Sequence, residues 1–184
     1  MYHRPAMCVY GGNTMNTKRT SKDLFNKADS AFVDEQFDKS IEILTRALEI
    51  DPDFKLAVIT RGTAFFKQEK YQEALADFDR AIKLDPHHAG SFHKRGLVLE
   101  KLGNFEDAIR ELDQAIALNP EYGAAFFSRA TLHARLSNAN AAQEDMQMVT
   151  HLGNRNLESY MNDNNVWHTQ HMRVEDVMET ELNR

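Results

Sequence analysis

The sequence predicts an all-α protein in which short helices are arranged as successive antiparallel pairs. Three observations lead to this prediction. Residues of the same type recur every 34 positions, apolar residues within each recurrence lie three or four apart, and a proline closes most of the recurrences. All three are properties of helical repeats, in which one unit of local structure is copied along the chain.

Five interleaved series share the 34-residue period. They are Pro52, Pro86 and Pro120; Ala47, Ala81 and Ala115; Ala74, Ala108 and Ala142; Gly62, Gly96 and Ala130; and the aromatic residues Phe37, Tyr71 and Phe105. One such series could arise by chance, but five with a single period do not. The period divides the chain into units 21–54, 55–88, 89–122 and a more divergent fourth unit, 123–154.

Each unit is predicted to contain two helices joined by a turn. Apolar residues such as Ile41 and Leu44 have the three-residue spacing of an amphipathic helix. The small residues of the series fall where the two helices of a pair must approach closely. A residue before proline is pushed out of the helical region, so Asp51, Asp85 and Asn119 are predicted to end the second helices.

The two ends of the chain are predicted to differ from the repeats. The segment before Ser21 contains the polar, turn-like stretch Gly11, Gly12, Asn13 and Thr14, and we expect residues 1–20 to form a flexible segment. Segment 155–184 is predicted to be a C-terminal cap and tail. In it Leu157, Tyr160 and Met161 have helical spacing and could cover the open edge of the fourth unit.

Residues 21–122 resemble the tetratricopeptide repeat (TPR) family. The small residues, the aromatic residue before each second helix and the closing proline all match the family pattern. The fourth unit departs from it, with Ala139, Val149 and Asn154 in place of the aromatic, small and proline residues. The resemblance implies a right-handed superhelical solenoid with a C-terminal capping helix, in which the first helices line a concave face. It implies protein binding and leaves the ligand open.

Arginines and carboxylates also recur in register. Arg61, Arg95 and Arg129 occupy one repeat position, and Asp77, Glu111 and Asp145 occupy another. We interpret each arginine and its acid as an ion pair between the two helices of one unit.

Composition and motifs exclude several classes of function. The net charge of −6 argues against nucleic-acid binding, and without a run of 18 apolar residues no membrane insertion is expected. Cys8 is the only cysteine, and the eight histidines lack the spacing of a metal site. No phosphate-binding loop, dinucleotide-binding glycines or nucleophile motif occurs. We therefore expect a non-enzymatic protein without cofactor or metal, and a cytoplasmic location.

The resemblance implies which residues of the first helices face the concave groove. The candidate peptide-binding residues are Lys22, Phe25, Asn26, Ile59, Thr63, Phe66, Lys67, His93, Lys94, Leu97, Lys101, Phe127, Thr131 and Arg135. Basic residues outnumber acidic ones on this face, whereas the outward positions of the second helices are mostly acidic. This contrast favours an acidic ligand with one or two apolar anchors. His93 is also a candidate for tuning binding between about pH 6 and 7.

One subclass of the family can be tested against the sequence. TPR domains that hold the acidic C-termini of heat-shock chaperones use a clamp of lysine, asparagine and arginine side chains. The corresponding residues here are Phe25, Asp29, Thr60, Gly90 and Lys94. Only Lys94 keeps a suitable charge, so this two-carboxylate clamp is absent.

Three hypotheses of function are consistent with these features. The leading one is an interaction module, an adaptor or co-chaperone-like protein, that binds a protein or peptide segment in the groove. The alternative is a self-associating structural scaffold, a homo-oligomer joined through the convex face or the C-terminal tail, where Trp167, Met172 and Met178 are apolar. The third is autoinhibition, with the acidic tail in the basic groove.

Overall fold

The computed structural model describes the backbone of residues 13–163 and the side chains of residues 18–155. Within this part of the chain there are eight α-helices and no strand. They are α1 (Asn13–Val33), α2 (Phe37–Ile50), α3 (Lys55–Lys67), α4 (Tyr71–Leu84), α5 (Ala89–Lys101), α6 (Phe105–Leu118), α7 (Gly123–Arg135) and α8 (Ala139–Asp163). The predicted all-α helical repeat fold is therefore confirmed.

The helices form two compact units, one up to Pro120 and one from Glu121 onward. In the first unit α1 packs on α2, α3 on α4 and α5 on α6, and each pair packs on the next. The first helices α1, α3 and α5 also touch their neighbours in turn. The second unit contains the pair α7 and α8. Helices α3, α5 and α7 begin at the first residues of the second, third and fourth sequence units.

The turn inside every pair has the same backbone geometry. Glu35, Glu69, Gly103 and Ser137 lie 34 residues apart, and all have the positive φ of the left-handed region, between 58° and 81°. After α3, for example, the Lys70 amide donates to the Phe65 carbonyl at 2.9 Å. This bond satisfies a carbonyl that the helix end leaves free, as in a Schellman motif. The fourth pair keeps this turn although its sequence diverges.

The second helices of the first three pairs end just before the prolines, as the sequence predicts. The Asp85 amide donates to the Ala81 carbonyl at 3.0 Å, and Asp85 itself is already extended, with φ −146°. Asn119 has nearly the same conformation. In the fourth unit Asn154 stands where the others have proline, and α8 continues to Asp163 over 25 residues.

Two predicted boundaries differ from the structure. A separate cap was expected from residue 155, but residues 155–163 belong to α8, because without a proline nothing stops the helix at Asn154. The helical part was expected to begin at residue 21, but α1 begins at Asn13. After Gly11 and Gly12 no glycine or proline interrupts the chain before residue 52, so helix propagates upstream of the first unit. Residues 1–12 and 164–184 lie outside the described residues.

The core runs along the array at equivalent positions. Leu44, Phe78 and Leu112 occupy one repeat position and are at most 1% exposed. Small residues allow the paired helices to approach: a Cβ on Gly62 would lie 3.0 Å from the Phe78 ring and 3.1 Å from Cβ of Asp77. The close approach predicted at the small residues is therefore present.

The three predicted arginine–carboxylate pairs form. Arg61 donates to both carboxylate oxygens of Asp77 at 2.7 and 2.8 Å, and Arg129 binds Asp145 in the same two-bond arrangement. Arg95 binds Glu111 and also Asp79, at 2.7 Å. Each arginine also lies within 6 Å of an aromatic ring centroid. The planar guanidinium suits this geometry because it can donate two parallel bonds and stack on a ring.

Candidate functional site

A small apolar pocket lies between α3 and α5 in the first unit. Thr63 and Phe66 of α3 and Leu97 of α5 line it, and Phe78 of α4 forms its base. The volume of the pocket is about 190 Å³. Lysines border the pocket on both helices, Lys67 on α3 and Lys94 on α5, so the structure brings five of the predicted site residues together.

Helix geometry explains this arrangement. Residues 63, 66 and 67 are three or four apart, and so are residues 94 and 97, so each set lies on one face of its helix. The Thr63 hydroxyl donates to the Ile59 carbonyl at 2.8 Å, which satisfies it within α3. Phe66 packs against the buried cluster that contains Phe78. The apolar part of the site is therefore continuous with the core.

The two lysines give the pocket its charge. Burial lowers the pKa of Lys94, and the positive charge of Lys67 lowers it further. Among the described residues neither lysine is paired with a carboxylate. Two like charges near an apolar surface, with no counter-charge from these residues, would be stabilised by an anionic group between them.

Three other predicted residues are packing residues. Ile59 is 8% exposed and belongs to a core cluster to which α1, α2, α3 and α4 all contribute. Phe25 packs against the same cluster, with its ring centroid 5.1 Å from that of Phe54. His93 is 9% exposed, and burial, followed by the charge of Lys94, lowers its pKa to about 4. The expectation that His93 titrates between pH 6 and 7 is therefore wrong, because the ring stays neutral in that range.

The remaining predicted residues of the first unit are exposed. Lys22 and Asn26 lie on the surface of α1, which packs beside α3. Lys101 is exposed in the last turn of α5, one turn beyond Leu97. Lys22 and Lys101 add positive charge on α1 and α5, but none of the three residues lines the pocket.

The three predicted residues of the second unit lie on α7. Phe127 is 51% exposed, and Arg135 is exposed at the end of the helix. Thr131 is half-buried, and its hydroxyl donates to the Ser128 carbonyl at 2.7 Å. Phe127 and Thr131 line a shallow apolar hollow together with Met146 of α8.

Sequence reasoning missed the contribution of the second helices. Phe78 forms the base of the first pocket, and Met146 lines the hollow of the second unit. Neither residue was among the predicted site residues. The 34-residue period places them at one position, so the period itself was the signal that could have identified them.

Two features, a metal-binding group of side chains and a membrane-spanning helix, are absent from the described part of the chain. Between residues 18 and 155, no three histidine, cysteine or acidic side chains are grouped closely enough to hold a metal ion. No helix described here is both long and apolar enough to cross a bilayer.

The helix pairs of this protein repeat along the chain, and their first helices carry a charged, partly apolar surface. These features make it an α-helical repeat protein. Two family profiles match the chain, both described as tetratricopeptide repeat, one over residues 25–89 and the other over residues 63–126. Together they span residues 25–126, more than half of the sequence. The chain belongs to the tetratricopeptide repeat family, whose members are protein-interaction modules.

Solved structures show the same fold. A crystal structure of MamA is similar over 75% of this chain and 81% of its own, with a TM-score of 0.70 and 20% identity. The TPR domain of Arabidopsis OM64 is similar over 65% of this chain and 98% of its own, with a TM-score of 0.63 and 21% identity. The first TPR of Spaghetti (RPAP3), bound to the HSP90 peptide SRMEEVD, has the same TM-score and identity over 65% of this chain and 95% of its own. No curated protein sequence matches the chain.

Proposed function

We propose that this protein is an adaptor that binds an acidic segment of a partner protein at the pocket between α3 and α5. The observation that carries the proposal is the pairing of Lys67 and Lys94 around an apolar base. An apolar side chain of the partner enters beside Phe66 and Leu97, and a neighbouring carboxylate lies between the two lysines. Such a ligand fills the pocket and neutralises the repulsion between the lysines at the same time.

The size and charge of the site support a short linear segment as the ligand. A pocket of about 190 Å³ accommodates a single side chain. The exposed Lys22 and Lys101 extend the positive charge along α1 and α5, so acidic residues on either side of the anchor would be attracted. In a chain with a net charge of −6, this local positive charge would steer an acidic partner to this surface.

A structural relative offers a parallel. The peptide bound to the first TPR of Spaghetti (RPAP3), SRMEEVD, combines acidic residues with methionine and valine. We infer a ligand of the same general chemistry here. The mode of binding differs, because Phe25, Asp29, Thr60 and Gly90 replace four of the five polar residues of the carboxylate clamp.

The test compares capture of partners by the wild type and by a Lys67→Glu, Lys94→Glu double variant. Tagged protein is incubated with cell lysate, and the captured proteins are identified by mass spectrometry. Their acidic segments, synthesised as fluorescent peptides, are then titrated and followed by anisotropy. We expect the double variant to lose binding, and we expect wild-type binding to weaken as salt is raised.

The matched control is Lys39→Glu, Lys83→Glu, which makes the same change of net charge at exposed sites on α2 and α4. It should bind as the wild type does. Helix content measured by circular dichroism must be equal in all three proteins. Equal loss of binding in both double variants would refute the pocket and leave only a general charge effect. Capture of the chain's own copies alone, unchanged by either variant, would favour the scaffold alternative.

A further inference from the structure

Lys94 differs from the other lysines of this protein in its surroundings. All ten lysines lie within the described part of the chain, where eight are exposed and only Lys55 and Lys94 are half-buried. Lys55 is held in an ion pair, with its Nζ 2.6 Å from a carboxylate oxygen of Asp85. Lys94 is paired with no carboxylate of the described residues, and it borders the apolar pocket between α3 and α5.

The position of Lys94 makes its amine a better nucleophile than an ordinary lysine. Burial lowers the pKa of Lys94, and the positive charge of Lys67 lowers it further. A lysine attacks an electrophile as the free amine, and burial in an apolar site and a neighbouring cation both favour that form. The fraction of Lys94 that is reactive at neutral pH is therefore raised.

The pocket beside Lys94 has the features that would hold a small acylating molecule. Phe66, Phe78 and Leu97 give it an apolar lining, and its volume of about 190 Å³ accommodates a short acyl group. Lys67 borders the same pocket and is exposed, so it attracts an anion from solvent to this place. The site fits a molecule with a short apolar group, an electrophilic carbonyl carbon and an anionic leaving group. Acyl phosphates combine these three features.

We propose that Lys94 is a site of covalent modification by short-chain acyl phosphates. The phosphate group pairs with Lys67 and the acyl chain lies against Phe66 and Leu97, which brings the carbonyl carbon to the Lys94 amine. The amine lone pair forms the new C–N bond, and the C–O bond to phosphate breaks with its electron pair on the phosphate oxygen. The amine proton passes to the departing phosphate. The products are N-acyl-lysine and inorganic phosphate, and no further reactant is required.

Modification changes both the charge and the free space of the pocket. The acylated Lys94 is neutral, so its repulsion with Lys67 is removed, and the acyl group fills part of the apolar space. One consequence rests on the proposed function: an acylated Lys94 no longer pairs with a carboxylate of the partner, so modification would weaken binding of an acidic segment here. The acylation itself needs no partner and is measured without one.

Acetyl phosphate is the probe for the test. The full chain is incubated with it at neutral pH, and samples taken over time are denatured and treated with deuterated acetic anhydride, which labels every amine that is still free. Mass spectrometry then gives the acetylated fraction of each lysine. We expect Lys94 to be acetylated several-fold faster than Lys55 and than any of the exposed lysines.

Two variants test the role of Lys67 in this reaction. Lys67→Met removes the charge and keeps the length of the side chain, and it should slow acetylation of Lys94 several-fold. Lys83→Met removes one charge from an exposed site on α4 and should leave the rate at Lys94 unchanged. Circular dichroism must show equal helix content in all three proteins. With the N-hydroxysuccinimide ester of acetic acid, which carries no phosphate, the effect of Lys67→Met should be smaller.

Three results would overturn the proposal. The first is acetylation of Lys94 no faster than that of the exposed lysines, and the second is an equal effect of Lys67→Met and Lys83→Met. The third is an equal effect of Lys67→Met with both reagents, because Lys67 would then not hold the phosphate group. None of these results bears on the binding of acidic peptides by the unmodified protein, so failure of this proposal is distinguished from failure of the proposed function.

Discussion

The arginine–carboxylate pairs are the single-residue feature that recurs most regularly along the array. Asp77 is almost fully buried, and Arg61, which donates two hydrogen bonds to it, supplies its counter-charge. We expect Arg61→Ala to lower the free energy of unfolding by about 3 kcal/mol, because it strands a buried carboxylate. Urea denaturation measures this directly.

The control for this prediction is Arg110→Ala. Arg110 pairs with Asp107 on an exposed face of α6, and exposed pairs contribute at most about 1 kcal/mol. Equal effects of the two substitutions would show that the Arg61 pair is screened by solvent and adds little to stability.

His93 makes the stability of the protein depend on pH. Its pKa is about 4 in the folded chain, against an ordinary value of 6.5. Between these values the unfolded chain binds a proton that the folded chain does not. The free energy of unfolding should therefore fall as the pH is lowered from about 6.5 to about 4, and this group has no effect above that window.

The check is to measure the urea midpoint between pH 7 and pH 4 for the wild type and for His93→Asn. The variant should show a smaller fall in this window. His87→Asn, which removes an exposed imidazole at a turn, is the matched control. A wild-type slope in His93→Asn would mean that other groups cause the acid sensitivity.

At the scale of the helical element, the left-handed backbone conformation of the turns inside the pairs can be tested by substitution. Glu69 and Gly103 occupy the same left-handed position, with φ values of 59° and 81°. A side chain there strains the backbone, so Glu69→Gly should raise the free energy of unfolding by about 0.5–1 kcal/mol and Gly103→Ala should lower it by a similar amount. Thermal denaturation followed by circular dichroism measures both changes in stability.

Gly153→Ala is the matched control for this prediction. A Cβ on Gly103 or on Gly153 would meet nothing within 4 Å, so both changes act through the backbone alone. Gly153 lies inside α8, where alanine favours the helix by roughly 1 kcal/mol. The same Gly→Ala change should therefore have opposite signs at the two sites. Equal signs would contradict the assigned backbone conformations.

The elements also show what could be predicted from the sequence. The 34-residue period located the helix pairs and their proline-terminated ends, because these depend on local rules for proline and small residues. It did not reveal that α8 would run through Asn154, since the consequence of a missing proline depends on the helix propensity of the residues after that position. The family resemblance, not the period, put Thr63, Phe66, Lys67, Lys94 and Leu97 on one face of the first helices, and the structure brings these five residues together at one pocket.

The sequence did not predict which individual site residues are buried. Ile59 and His93 have the spacing of surface residues on first helices, yet packing in the array buries both. Phe127 has the same repeat position and is exposed. Repeat position therefore predicts which side of a helix a residue faces, whereas exposure depends on whether a neighbouring helix covers that side.

At the scale of the whole molecule, stability in a repeat array depends on neighbours. Each helix pair buries its apolar side only against the next one, and about three repeats are needed for a stable array. The first unit contains three pairs that pack on one another. Its core residues Leu44 and Phe78 are each covered by helices within that unit.

This organisation predicts how shortened chains behave. A chain of residues 1–120 retains all three pairs and should unfold cooperatively, with the ellipticity per residue of a folded helical protein. A chain of residues 1–86 lacks α5 and α6, which uncovers Phe66 and Phe78 and removes one side of the pocket. We expect it to lose most of its cooperative transition in thermal and urea denaturation followed by circular dichroism. If the shorter chain were as stable as the longer one, packing of α5 on α4 would contribute nothing to the free energy of unfolding. The burial of Phe78 would then be a consequence of the fold rather than a cause of its stability.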